Sequence, residues 1–227
     1  MNISIFYHTL FYKDSQHNLL PSARDITIDQ MAELQSSGLL DTASEIIIGV
    51  NGGIESEELA NTILPQKAKL IYHGIENKNE NLTICEIENW VPAHNDHLVL
   101  YFHCKGGSRS LNDRKSTDWR NCMMTNLITN WKQCIDDLNS GYDAVGCHWF
   151  TPPITPPGHK IFGGNFWWAT APFLSTRNSI RNTARCKQSG IGETISRYEA
   201  EVWIGNGTTT PNIKDYHPVP SIHLVHS

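Results

Sequence analysis

Lys105-Gly106-Gly107-Ser108-Arg109 sets two cations around a double glycine. Backbone amides in so flexible a run, with the two charges, can cradle an anion such as a phosphate. The GxxxxGK[ST] spacing of a Walker loop is absent. Arg120, beside Asp118 and Trp119, is a further cation that can reach the same anion. Far along the chain, Glu199 and Glu201 stand two residues apart within RYEAEVWIG. A carboxylate there can take a proton from an attacking hydroxyl, and Glu201 is the first choice for that base. In a strand the two would share a face, whereas in a helix they diverge. Upstream of them, Gly163-Gly164-Asn165-Phe166-Trp167-Trp168 places an amide and two indoles behind a double glycine, which lets backbone approach a ligand closely. Asn165 can pair with hydroxyl groups, and Trp167 or Trp168 can stack on a sugar ring while the other enters the core. Of the eleven histidines, His94 and His97 flank Asp96, and His217 stands in the tail. Asp96 and His217 are the candidate metal ligands, although no HExxH spacing occurs.

The elements that must hold these residues follow from the hydrophobic pattern. Residues 3–7 (ISIFY), 45–50 (EIIIGV), 69–72 and 98–102 (LVLYF) are short apolar runs, three of them rich in β-branched residues, and read as buried strands. Residues 28–37 carry apolar side chains at helical spacing and stop at Gly38, a C-cap candidate. Residues 55–64 and 83–90 read as further helices. Strands alternating with helices predict a mostly parallel sheet with helices on both faces. Ligands in such sheets bind beyond the carboxyl ends of the strands. That rule singles out His8, Asn51-Gly52-Gly53, His73-Gly74 and His103-Cys104-Lys105. Between 117 and 139 the apolar residues recur three or four apart, predicting one long amphipathic helix. Residues 143–150 read as one more strand, TPPITPPG at 151–158 as an exposed loop, and the stretch from 208 onward as loop.

A chain of 227 residues without a linker, repeat or low-complexity tract fits a single α/β domain. A formal charge of −5 argues against a nucleic-acid partner, since such proteins carry a basic face. The longest apolar runs are strand-sized, so no transmembrane segment is expected. MNISIFYH lacks a basic region ahead of an apolar stretch, so no signal peptide is expected and the cytoplasm is the expected compartment. The six cysteines form no CxxC pair and read as free thiols in a reducing compartment.

Five blocks in order, YFHCKG, DWR, SGYDAVG, GGNFWWA and RYEAEVWIG, resemble a group of small GT-A-like glycosyltransferases of capsule and surface-glycan clusters and of large DNA viruses of algae. A viral chain would act in the host cytoplasm. The resemblance runs from about residue 3 to residue 205. It implies a Rossmann-like GT-A domain, with a nucleotide-binding half over about 1–107 and an acceptor half over about 108–227. It also implies transfer of a monosaccharide from a nucleotide-sugar donor, UDP-sugars being commonest, to an oligosaccharide or other glycan acceptor. Glu201 would be the base, with Glu199 second, and a base-like Glu favours inversion. His8, Asn51, Gly52, His103, Lys105 and Arg120 would face the donor, and Asn165, Trp167 and Trp168 the sugars. The family's Asp-x-Asp, which holds Mn2+ or Mg2+ against the donor phosphates, is replaced here by His103-Cys104-Lys105. Two alternatives follow: metal-independent action with Lys105 in place of the ion, or metal ligands elsewhere. A metal-dependent phosphoesterase and a non-catalytic carbohydrate-binding module are the rival functions. The chain can equally be one domain of a longer transferase.

Overall fold

The computed structural model describes residues 2–11, 21–52, 54–73, 80–107, 113–152, 159–180 and 197–218. The Asn2–Leu10 strand (β1) is followed by the Pro21–Ser36 helix (α1), the short Leu39–Thr42 helix (α2) and the Glu45–Asn51 strand (β2). Next come helix Ile54–Ile63 (α3), strand Lys69–Tyr72 (β3), helix Asn81–Trp90 (α4) and strand His97–His103 (β4). These four strands are parallel, in the order β3-β2-β1-β4. β-Branched and aromatic runs flanked by amphipathic helices give this arrangement because a parallel pair needs a crossover to bury both faces.

The second half departs from the sequence reading in three places. The single long helix is two, Arg114–Met124 (α5) and Trp131–Asn139 (α6), joined by a π-helical turn over Thr125–Thr129. The Asn126 side-chain amide donates to the Cys122 carbonyl at 2.8 Å, a local bond that competes with the regular ladder. The strand expected over 143–150 is also two. Ala144–Gly146 (β5) lies in the main sheet, while Trp149–Phe150 (β6) pairs with Ile161–Phe162 (β7) in a separate hairpin. The break falls at His148, whose φ of 61° turns the chain out of the sheet. Lastly, the tail is not all loop. Ile213–Asp215 forms a strand (β9) parallel to β5. Of the proline loop, residues 153–158 lie outside the described residues.

Strand Trp167–Thr170 (β8) runs antiparallel between β4 and β5, which completes one seven-stranded sheet of order β3-β2-β1-β4-β8-β5-β9 among the described residues. Helix Ala171–Leu174 (α7) follows it, and helix Arg197–Trp203 (α8) precedes β9. Adjacent strand residues point to opposite faces. Tyr7, Phe102 and Trp168 therefore enter one core with Met123 and Leu127, and Phe6, Tyr101 and Trp167 enter the other with Ile84 and Trp203. No described helix is long and apolar enough to cross a membrane.

Candidate functional site

The carboxyl ends of β1, β2, β4, β5 and β9 lie along one edge of the sheet. Because β8 is reversed, its start, with the Gly163–Asn165 turn just before it, lies there too. His8 and His103 are register partners across β1 and β4. The buried His8 ring pairs through Nδ1 with Thr83 Oγ1 at 2.8 Å, and His73 Nε2 meets the same hydroxyl at 3.3 Å. Gly49 makes room for this group, since a Cβ there would collide with the Thr83 hydroxyl and lie 2.7 Å from His73 Nε2. Burial, with the neighbouring His103 and His73 adding to it, holds His8 well below the usual imidazole range. Burial also brings His73 down to about 4. Both rings are therefore neutral hydrogen-bonding groups at pH 7.

His103 Nε2 lies 2.9 Å from the Gly164 carbonyl, to which it can donate, and 3.8 Å from Glu80 Oε2. Tyr101 donates its hydroxyl to that same Glu80 oxygen, and Glu80 is 8% exposed. The Tyr101 hydroxyl is pushed far up by burial first, then by the Glu80 charge, and least by Glu201. α8 does make the two glutamates diverge: Glu199 is fully buried, whereas Glu201 is partly exposed. On the other side of His103, the Lys105 ammonium lies 4.3 Å above the Trp119 ring, and the Lys105 carbonyl accepts from Arg120 Nη1 at 2.9 Å. A Cβ added to Gly164 would stand 3.3 Å from Lys105 Cδ. A series of neighbours thus runs Lys105, Gly164, His103, Glu80, Tyr101.

Asn165 sits in the same turn with φ 57° and is fully buried. Its Oδ1 accepts from Trp167 Nε1 at 3.0 Å, while its Nδ2 has no hydrogen-bond partner among the described residues. Trp167 and Trp168 are both 0% exposed. Trp168 Nε1 donates to the Leu127 carbonyl at 2.8 Å, so both indoles are core side chains that shape the turn rather than open stacking faces. Asn51 ends β2, fully buried, its carbonyl accepting from Phe11 N at 2.8 Å, and the buried Gly52 follows. Gly53, Ser108 and Arg109 lie outside the described residues. Asp96 stands at the opposite, amino edge, just before β4, where it accepts from Asn2 Nδ2 at 2.7 Å. A seven-residue strand, on the order of 20 Å, separates it from Lys105. His217 does lie at the carboxyl edge, beside Cys122 and His148.

The place of the family's Asp-x-Asp does not fit Mn2+ or Mg2+. Those ions want carboxylate and carbonyl oxygens, and here His103 Nε2 is engaged by Gly164. The buried Cys104 thiol is pushed up to about 11, chiefly by burial, and Lys105 brings a positive charge. Glu80, Thr83, Cys122 and His148 escaped the sequence reading. Glu80, Thr83 and Cys122 stand in or beside helices rather than after a strand, and His148 was read as an interior residue of the strand over 143–150.

Residues 6–179 match the model of DUF8361, a domain of unknown function. The chain belongs to this family. The matched stretch takes in His8, Glu80, His103, Lys105 and Asn165 of this DUF8361 chain and ends before α8 and β9. No curated protein matches it. Among solved structures it is similar to a protein from Desulfovibrio desulfuricans G20 provisionally named a nucleotide-diphospho-sugar transferase. That likeness has 10% identity and a TM-score of 0.50, over 96% of this chain and 81% of that one. It is also similar to a 4-diphosphocytidyl-2C-methyl-D-erythritol synthase (8% identity, TM-score 0.43, 100% of this chain and 93% of that one). A third is CMP:2-keto-3-deoxy-manno-octonic acid synthetase complexed with CTP (9% identity, TM-score 0.41, 96% and 90%). At these identities the likeness is one of fold, and the DUF8361 fold is α/β and GT-A-like.

Proposed function

We propose that this DUF8361 chain is a nucleotide-sugar-dependent glycosyltransferase that moves a monosaccharide, from a UDP-sugar for preference, to an oligosaccharide or other glycan acceptor with inversion. One observation supports the reading: the series of neighbours from a cation, Lys105, through Gly164, His103 and Glu80 to Tyr101, whose buried hydroxyl also feels the Glu201 charge. Lys105 and the nearby Arg120 neutralise the departing diphosphate as point charges, work that a metal does elsewhere in the fold. Neutral His8, with Asn51, Gly52 and His103, binds the nucleotide and donor sugar. Asn165 meets the sugar through its side-chain amide nitrogen. Glu201 takes the proton of the acceptor hydroxyl as its oxygen bonds to the anomeric carbon. The bond from that carbon to the phosphate oxygen breaks in step, and its electron pair leaves with the diphosphate. Glu80, bonded by Tyr101, orients His103.

The test is a panel of nucleotide sugars offered with mixed oligosaccharide acceptors. Release of nucleoside diphosphate with a lengthened glycan is expected. Glu201→Gln should cut turnover by roughly a hundredfold to ten-thousandfold while donor affinity stays near wild type. Pyrophosphate release from a nucleoside triphosphate and a sugar phosphate would instead mark a nucleotidyltransferase and overturn the reading.

A further inference from the structure

We infer that Cys122, His148 and His217 form a site for a zinc-type divalent cation. One ligand atom from each lies within 4.8 Å of the others. In a tetrahedral zinc site such atoms stand about 3.4–3.6 Å apart, so a small inward turn of the exposed His217 completes the geometry. The second observation is His148 itself. It is 5% exposed, and neither ring nitrogen makes a well-formed hydrogen bond among the described residues, the His217 backbone lying close by. Buried imidazoles are normally satisfied, and a bound cation takes up the lone pair left over here. The backbone supports this placement. His148 adopts a left-handed φ of 61°, and one carboxylate fixes both histidines: Asp215 Oδ1 accepts from His148 N at 2.9 Å and from His217 N at 3.0 Å. Asn126 Nδ2 lies 3.7 Å from Cys122 Sγ, close enough to steady the thiol.

A thiolate with two imidazoles is a donor set for Zn2+ and its neighbours, not for Mg2+, Ca2+ or Mn2+. Three protein ligands leave a fourth position to water or to an oxygen of a bound molecule. Trp119 lies beneath the Lys105 ammonium and meets the His148 ring at a centroid distance of 5.8 Å, so the open position neighbours the cation assigned above to the diphosphate. That adjacency deepens the transferase reading and rests on it. The metal site rests only on the ligands.

The experiment uses the metal alone. The whole chain, purified without chelator or metal-affinity tag, is loaded with Zn2+ or Co2+. One Zn2+ per chain, a raised melting temperature and a near-ultraviolet thiolate-to-cobalt band are expected. Cys122→Ser should abolish the band. His217→Ala, on the exposed tail, should weaken Zn2+ at least tenfold while circular dichroism and the metal-free melting temperature stay at wild type. Cobalt binding without a thiolate band, a melting temperature indifferent to Zn2+, or wild-type affinity in His217→Ala would each overturn the site. No sugar enters these measurements, so loss of the transferase reading and loss of this site are separate results.

Discussion

Lys105 lies over Trp119, its ammonium 4.3 Å from the ring centroid. Lys105→Met keeps the stem and removes the charge. A charge-assisted phosphate bond is worth about 1.5–3 kcal/mol, so the dissociation constant for UDP should rise roughly tenfold to a hundredfold. Titration calorimetry reads this directly, and unchanged affinity would remove Lys105 from the donor site. Trp167 makes the opposite prediction. A fully buried indole that bonds Asn165 is a packing residue, so Trp167→Ala should cost about 3–5 kcal/mol of stability in urea unfolding. His8, His103 and Lys105 stood out in the sequence because each follows or ends an apolar run, and a strand end is where ligands bind. Glu80 and Cys122 carry no such local sign. Their roles arise from contacts with His103 and His148, which lie 23 and 26 residues away along the chain.

Helix α8 owes its position to one glycine. A Cβ on Gly205 would run into the Lys160 backbone carbonyl beside β7, so a substitution must push the end of α8 outward and carry Glu201 with it. Gly205→Ala should lower stability by about 1–3 kcal/mol, as overpacking does, and reduce turnover far more than donor binding. The denaturation midpoint and a kcat-against-KM comparison check it; a variant with wild-type kcat would detach α8 from the chemistry. At this scale the first four strands were readable from composition, since each is a continuous apolar run. The strand read over 143–150 divides where the Asp215 carboxylate takes the His148 and Trp149 amides, and β9, three residues long, escaped the reading. No periodicity records that. The π-helical turn after α5 was hidden for the same reason, because its apolar spacing still fits a continuous helix.

For the molecule as a whole, the buried neutral histidines make acid the sensitive direction. In the unfolded chain imidazoles protonate near their ordinary value of about 6.5, whereas in the folded chain His73 waits until about 4 and burial holds His8 well below its ordinary range. Between those values the unfolded state holds more protons, so stability is full above about pH 6.5 and drains away as the pH falls. With His73 only partly buried, its share is about 1–2 kcal/mol by pH 4. Urea midpoints at pH 7 and pH 4.5 should differ, and His73→Gln should flatten the slope. An equal slope in the variant would assign the acid sensitivity to other groups.

The lone late strand β9 also has a bearing on how the protein is made. β5 is built from residues 144–146, yet its outer partner is not translated until residues 213–215. At ordinary ribosomal speeds that gap lasts on the order of several seconds. Throughout it the nascent chain presents a bare strand edge, open to mispairing with a neighbouring copy until the tail arrives to cover it.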